Sequence, residues 1–164
     1  QAVNKFEQCF AEFSNISQRT LNVVRHARMV SSTALYKVDH IVNIQKAYRS
    51  VELGQGSQEA KDAEVSDELC RFGLWLKDES VNGGAQYQNF AAYKAILKPH
   101  YHVHHRVHEI LLILKQDWQH DKQLQQKILD IFKIIETNSD MVTELVGQFA
   151  NEKNRQQSET HEQG

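Results

Sequence analysis

Five of the nine histidines in this 164-residue chain fall between His100 and His108, and histidine is the commonest side chain by which a protein offers a neutral nitrogen to a metal ion. On a helix opened by Pro99, residues Val103, Val107, Ile110, Leu111 and Leu114 form an apolar stripe at about 100° per residue. His100 and His104 flank that stripe one turn apart, so their rings can converge on one ion at bonds of about 2.0–2.1 Å. His102 and His105 project to the opposite face and His108 falls farther off; His102 and His108 are the alternative donors. Two further residues bear on the same chemistry. Cys70, beside Leu69, Phe72 and Leu74, reads either as a small core hydrophobe or as a thiolate ligand. His40, on an apolar helix face, reads either as a hydrogen-bonded core residue or as a third nitrogen. Residue type and spacing leave both alternatives open.

The elements that must position these groups are helices. There is one proline, Pro99, and the glycines gather at Gly54/Gly56 and Gly83/Gly84, which leaves a few long segments. Residues 1–30 read as an amphipathic N-terminal helix, with Val3, Phe6, Phe10, Phe13 and Val24 on alternating three- and four-residue steps, suited as a connector to a coiled coil. Residues 31–120 read as the helical core that would hold a metal. A helix from about Ser31 to Leu53 carries Leu35, Val38, Ile41, Val42 and Val51 beside His40, and a polar loop follows from Gly54 to Val65. Ser66 is expected to cap a short helix over Asp67–Lys77 that contains Cys70. A helix over Ala85–Leu97 precedes Pro99, which restarts the next one to about His120. In residues 121–150 the set Ile128, Ile131, Ile135, Asn138, Val142, Leu145 and Phe149 has a 3.5-residue repeat, suited to a bundle helix or a dimer seam. The polar residues 151–164 are expected to be disordered. The fold class is therefore all-α, an antiparallel helical bundle flanked by long coiled-coil-like helices.

Composition narrows the function. A net charge of −2 provides no basic footprint for nucleic acid or anionic membrane surfaces. No apolar run approaches the roughly 20 residues that span a bilayer. With only Cys9 and Cys70, a disulfide framework is improbable and a reducing cytoplasm is the expected compartment. The chain begins at Gln1 rather than methionine, and we expect it to be a piece of a longer protein.

Three segments, Lys37-Val38-Asp39-His40, Leu69-Cys70-Arg71-Phe72-Gly73-Leu74-Trp75-Leu76 and His100-Tyr101-His102-Val103-His104, together resemble the chemoreceptor zinc-binding domain, a bacterial module found in soluble chemoreceptors and beside diguanylate cyclase domains. The resemblance spans roughly Lys37 to Leu112. It implies that His40, Cys70, His100 and His104 ligate one Zn²⁺ ion, with Leu74 standing where lysine is commoner in the family. It also implies a compact, dimerising helical bundle.

Three imidazoles and one thiolate would complete a tetrahedron, with no open position for the water that catalytic zinc requires. The expected role is accordingly a zinc-binding regulatory sensor of a bacterial signalling protein, most like the C-terminal part of a chemotaxis receptor, and not an enzyme. Zinc occupancy, or oxidation of Cys70, would alter helix packing and the output of an attached or associated signalling domain. The alternatives are a structural zinc-stabilised dimerisation module and a zinc-responsive domain of a diguanylate cyclase. Asp39 is a candidate to orient a ligand imidazole, and Gly73, one turn from Cys70, is expected to admit a neighbouring helix. The expected assembly is a homodimer.

Overall fold

The structure, a computed structural model, describes residues 2–162; for 150–162 only the helical backbone and the Glu152 side chain are described, and for residues 2 and 3 the backbone alone. Five α-helices and one 3-10 turn follow in order: α1 (Ala2–Leu53), α2 (Gln58–Ala63), α3 (Arg71–Lys77), the 3-10 turn (Ala85–Tyr87), α4 (Ala91–Ile113) and α5 (Lys122–Glu162). No strand occurs among the described residues. The chain is all-α.

Two apolar cores give the directions of the helices. The first gathers Ile44 and Ala47 of α1, Ala60 and Ala63 of α2, Val103 to Ile113 of α4, and Ile128 to Ile135 of α5. The second gathers Met29 and Tyr36 of α1, Phe72 to Leu76 of α3, Ala92 and Ile96 of α4, and Val142 to Phe149 of α5. Helices α1 and α4 therefore run from the second core to the first, while the α2–α3 leg and α5 run back. The result is an antiparallel bundle of four legs, one of them broken into two short helices.

Sequence boundaries shift in several places: the expected polar loop 54–65 contains α2, the expected helix from Ala85 is a 3-10 turn followed by α4 from Ala91, and α4 ends at Ile113 short of His120. The first two expected helices are one, 52 residues without glycine or proline, ended at Gly54, whose φ of +89° is the left-handed cap conformation that glycine alone adopts freely. Cys70, rather than Ser66, caps α3: its Sγ accepts the Gly73 N–H at 3.2 Å, and residues 67–69 form a turn held by Cys70 N–H to Ser66 O at 3.0 Å. Pro99 does not restart a helix but sits buried inside α4, where Ile96, His100 and Val103 pack around the same turn and outweigh the lost amide. The backbone of α5 runs as helix to Glu162, and 163–164 lie outside the described residues.

The faces shift as well. In the second half of α1, Tyr36, His40, Asn43, Ile44 and Ala47 point inward, while Leu35, Val38, Ile41 and Val42 are exposed. The repeat on α5 packs inside its own bundle: Ile128, Ile131, Ile135, Val142 and Phe149 are all buried against α1 and α4. It therefore makes a bundle helix and does not serve as a free seam.

Candidate metal centre

Between the two cores lies a polar layer. His40 and Asn43 on α1 separate Tyr36 from Ile44; His100 and His104 on α4 separate Ile96 from Val107; Ser139 on α5 separates Ile135 from Val142. His40, His100 and His104 are each at most 3% exposed. Burying three imidazoles is costly unless each polar atom has a partner.

Their hydrogen bonds fix which nitrogen faces the centre. His104 Nδ1 lies 2.8 Å from the Val65 carbonyl, and His40 Nδ1 lies 3.3 Å from the Tyr36 carbonyl. A carbonyl only accepts, so both Nδ1 atoms carry the proton and both Nε2 atoms present a lone pair. Neither Nε2 has a hydrogen-bond partner. Backbone carbonyls that hold Nδ1–H and leave Nε2 bare are the usual outer support of metal-binding histidines. The donor nitrogens of His40, His100 and His104 lie within 4.8 Å of one another. Cys70 joins through His100, its Sγ being 3.2 Å from His100 Nε2. A tetrahedral ion with bonds of about 2.0–2.3 Å holds neighbouring donors roughly 3.3–3.8 Å apart; the three imidazoles meet within 4.8 Å, while Cys70 stands outside that trio and touches it only at His100. The three histidines could thus hold a metal ion, with Cys70 beside His100 as a further candidate donor.

Electrostatics agree. Burial, followed by the neighbouring His104, pushes His40 down to about 4, and burial with His40 and His104 nearby pushes His100 down to about 2. Burial also lowers His104, against the Val65 carbonyl that raises it. All three rings are neutral at pH 7 and ready to donate lone pairs. The Cys70 thiol is pushed up by burial, against the Gly73 and Phe72 amides that lower it; its Sγ also reaches the Asp67 carbonyl at 3.4 Å. Without a cation beside it, Cys70 stays protonated.

The other histidines have separate occupations. His108 Nε2 donates to the Glu64 carbonyl at 2.8 Å, His105 stacks on Tyr101, and His102 meets Tyr101 edge-on. None of them reaches the cluster. Asp39 faces Arg71 across an ion pair of 3.3 Å rather than an imidazole, which places its charge beside the start of α3. Gly73 admits backbone, but of the 67–68 turn and not of a helix: a Cβ there would lie 1.8 Å from the Asp67 carbonyl oxygen. Phe72 closes the floor, its ring 5.1 Å from His100 and 5.2 Å from Tyr36.

Sequence reasoning passed over Asn43, buried in the same layer one turn after His40 with its Nδ2 unpartnered. Its spacing from His40 was the available signal. The Val65 and Tyr36 carbonyls have no side-chain signature at all.

Residues 40–111 match the family model of the chemoreceptor zinc-binding domain, from the first histidine of the cluster to the last turns of α4. The matched span includes His40, Cys70, His100 and His104. Such a domain is a zinc-binding part of chemotaxis and signalling proteins. No curated protein and no solved structure gives a match. No helix among the described residues is long and apolar enough to cross a membrane.

Proposed function

We propose that the chain is the zinc-binding regulatory domain of a cytoplasmic bacterial signalling protein, with one Zn²⁺ held by His40, Cys70, His100 and His104. The observation that carries the assignment is the pair of buried, unpartnered Nε2 atoms on His40 and His104, gathered with His100 in one cluster against which Cys70 lies through His100. Bound zinc supplies a cross-link among the long helices α1 and α4 and the cap of α3. The protein supplies the rest: two carbonyls orient the rings, Phe72 and Tyr36 exclude water from below, and the Gly73 amide steadies the sulfur.

Regulation follows from where the ligands sit. His40 lies in the middle of α1, and the exposed residues Phe6, Phe10, Phe13, Val24, Val38 and Ile41 continue one three-four repeat along that helix. Phe6 is 73% and Phe13 67% exposed. Such a stripe suits a second copy of the chain, and a homodimer paired along α1 places each zinc site next to the seam. Loss of zinc, or oxidation of Cys70, would free α1 to move against α4 and so alter the attached output. The role is regulatory rather than enzymatic, because a four-ligand site leaves no position for substrate. The same stripe also supports the second reading, a structural dimerisation module whose zinc only stabilises the pair.

The test is to measure α1 pairing and zinc together. Site-directed spin labels at Val24 in zinc-loaded and chelator-stripped protein should give different interspin distances if the site is regulatory. Identical distances in both states would leave the structural module as the correct reading.

A further inference from the structure

A cavity of about 320 Å³ runs from the surface to the metal centre. Its inner wall is His40, His104 and Cys70; its outer wall carries Asp39, Asp62, Lys46 and Arg71. His100 is not part of the wall. The exposures grade along this path: the two imidazoles are at most 3% exposed, whereas the Asp39 and Asp62 side chains are 35% and 39% exposed. Phe72 lines the same cavity, and an apolar core lies on either side of the cluster.

Asn43 makes the middle of the cavity polar. It is 7% exposed, lines the wall, and its Nδ2 has no partner. The Nδ2 atom is shielded from solvent in the resting fold, a polar group left over for an ion that enters the cavity. A divalent cation exchanges its hydration shell for protein ligands stepwise, so a polar passage with oxygen donors outside and nitrogen donors inside suits its transfer.

Each outer carboxylate is held by a cation: Asp39 by Arg71 at 3.3 Å, and Asp62 by Lys46 at 3.1 Å. Gln58 also donates to Asp62 at 2.7 Å, which together with Lys46 holds its carboxyl below the usual carboxylate range. Exposed pairs of this kind contribute little to stability. They can open when a competing cation arrives.

Resting on the zinc assignment above, we propose that this cavity is the exchange route of the metal, in which Asp39 and Asp62 capture the incoming cation and Arg71 and Lys46 release them to do so. The site is thereby kinetically open although it is buried. Zinc level, and not only zinc affinity, then reaches the signal on the timescale of exchange.

Two full-length variants test it, both altering partly or largely exposed side chains. After stripping, each protein is mixed with zinc alone in a stopped-flow instrument, and release is followed with a chromophoric chelator. Asp39→Asn with Asp62→Asn should slow loading by roughly three- to tenfold and flatten its salt dependence, because the capturing charge is gone. Leu69→Trp places a larger side chain on the rim at a residue that is 68% exposed. It should slow loading and release by the same factor and leave Kd unchanged. Wild-type rates in both variants, each holding one zinc, would overturn the route while leaving the ligand assignment standing. A wild-type protein that takes up no zinc would overturn the ligand assignment, and the route with it.

Discussion

His104 and Val65 are joined by a 2.8 Å hydrogen bond across 39 residues of sequence. This one contact ties the turn before Cys70 to the middle of α4. It also decides the chemistry of the ring, because a carbonyl at Nδ1 leaves Nε2 bare for a ligand. Changes in the 65–70 turn should therefore be felt at the metal even where no ligand is touched.

Ligand changes should separate from surface changes. His104→Ala or Cys70→Ala should weaken zinc binding by more than the roughly 10- to 100-fold that outer supporting residues typically contribute. His105→Ala, whose ring stacks on Tyr101 away from the cluster, should keep one zinc per chain. Elemental analysis after dialysis against a weak chelator reads both outcomes, and equal retention in all three proteins would defeat the assignment.

Gly73→Ala should be among the most damaging small substitutions in the chain. The added methyl would lie 1.8 Å from the Asp67 carbonyl oxygen, so the 67–68 turn must move and Cys70 with it. Overpacking of this kind costs about 1–3 kcal/mol. Chemical denaturation of stripped protein should register that loss, and zinc affinity should fall in parallel; an unchanged midpoint would show that the turn yields freely.

The stripped protein should lose stability as pH falls. Folded His40 and His100 are lowered to about 4 and about 2 against an ordinary value of 6.5, and His104 is lowered too. Below about 6.5 the unfolded chain takes up protons that the folded chain refuses, so unfolding is favoured by about 1.4 kcal/mol per pH unit for each such histidine. The loss begins near pH 6.5 and continues until each folded value is reached, near 4 for His40. Denaturant midpoints at pH 7.5, 6.0 and 5.0 should decline in that order, and a flat profile would mean that the rings are solvated.

The two cysteines should differ in reactivity. Cys9 is exposed on α1, whereas Cys70 is half-buried with its thiol pushed up. In stripped protein at pH 7, iodoacetamide should label Cys9 well before Cys70, as peptide mass spectrometry would reveal. In zinc-loaded protein Cys70 is the thiolate that hypochlorous acid should attack, with zinc released as it does. Oxidation of Cys9, Met29 and Met141 with zinc retained would remove the redox reading.

Pairing along α1 should depend on its outward repeat. Val38→Glu with Ile41→Glu alters exposed side chains beside His40 without entering either core. Sedimentation should show a dimer for the wild type and a monomer for the double variant at tens of micromolar, a scale at which weak pairs dissociate. Dimers in both proteins would put the interface elsewhere.

Much of the centre was legible because its signals are local or family-wide: a one-turn histidine pair, a single cysteine beside Phe72-Gly73, and His40 after Asp39. What escaped depended on the third dimension. Leu35, Val38, Ile41 and Val42 read as a core face because they are apolar, yet α1 buries Tyr36, His40 and Asn43 instead, since the layer between the two cores needs polar groups. Pro99 reads as a break, and neighbours packed on its own turn keep the helix intact. Ser66 reads as a cap, but Gly73 can fold tightly over the Asp67 carbonyl and hand that task to Cys70.

A rod without a hinge transmits torque. From Ala2 to Leu53 α1 contains neither glycine nor proline, so nothing in its sequence marks a joint where twist could dissipate. Phe6 and His40 lie 34 residues apart, which at 1.5 Å per residue is about 51 Å. A few degrees of rotation imposed at the imidazole would turn the whole aromatic edge through a similar angle, as a drive shaft does. The far end needs no ligand of its own to register what happens at the near one.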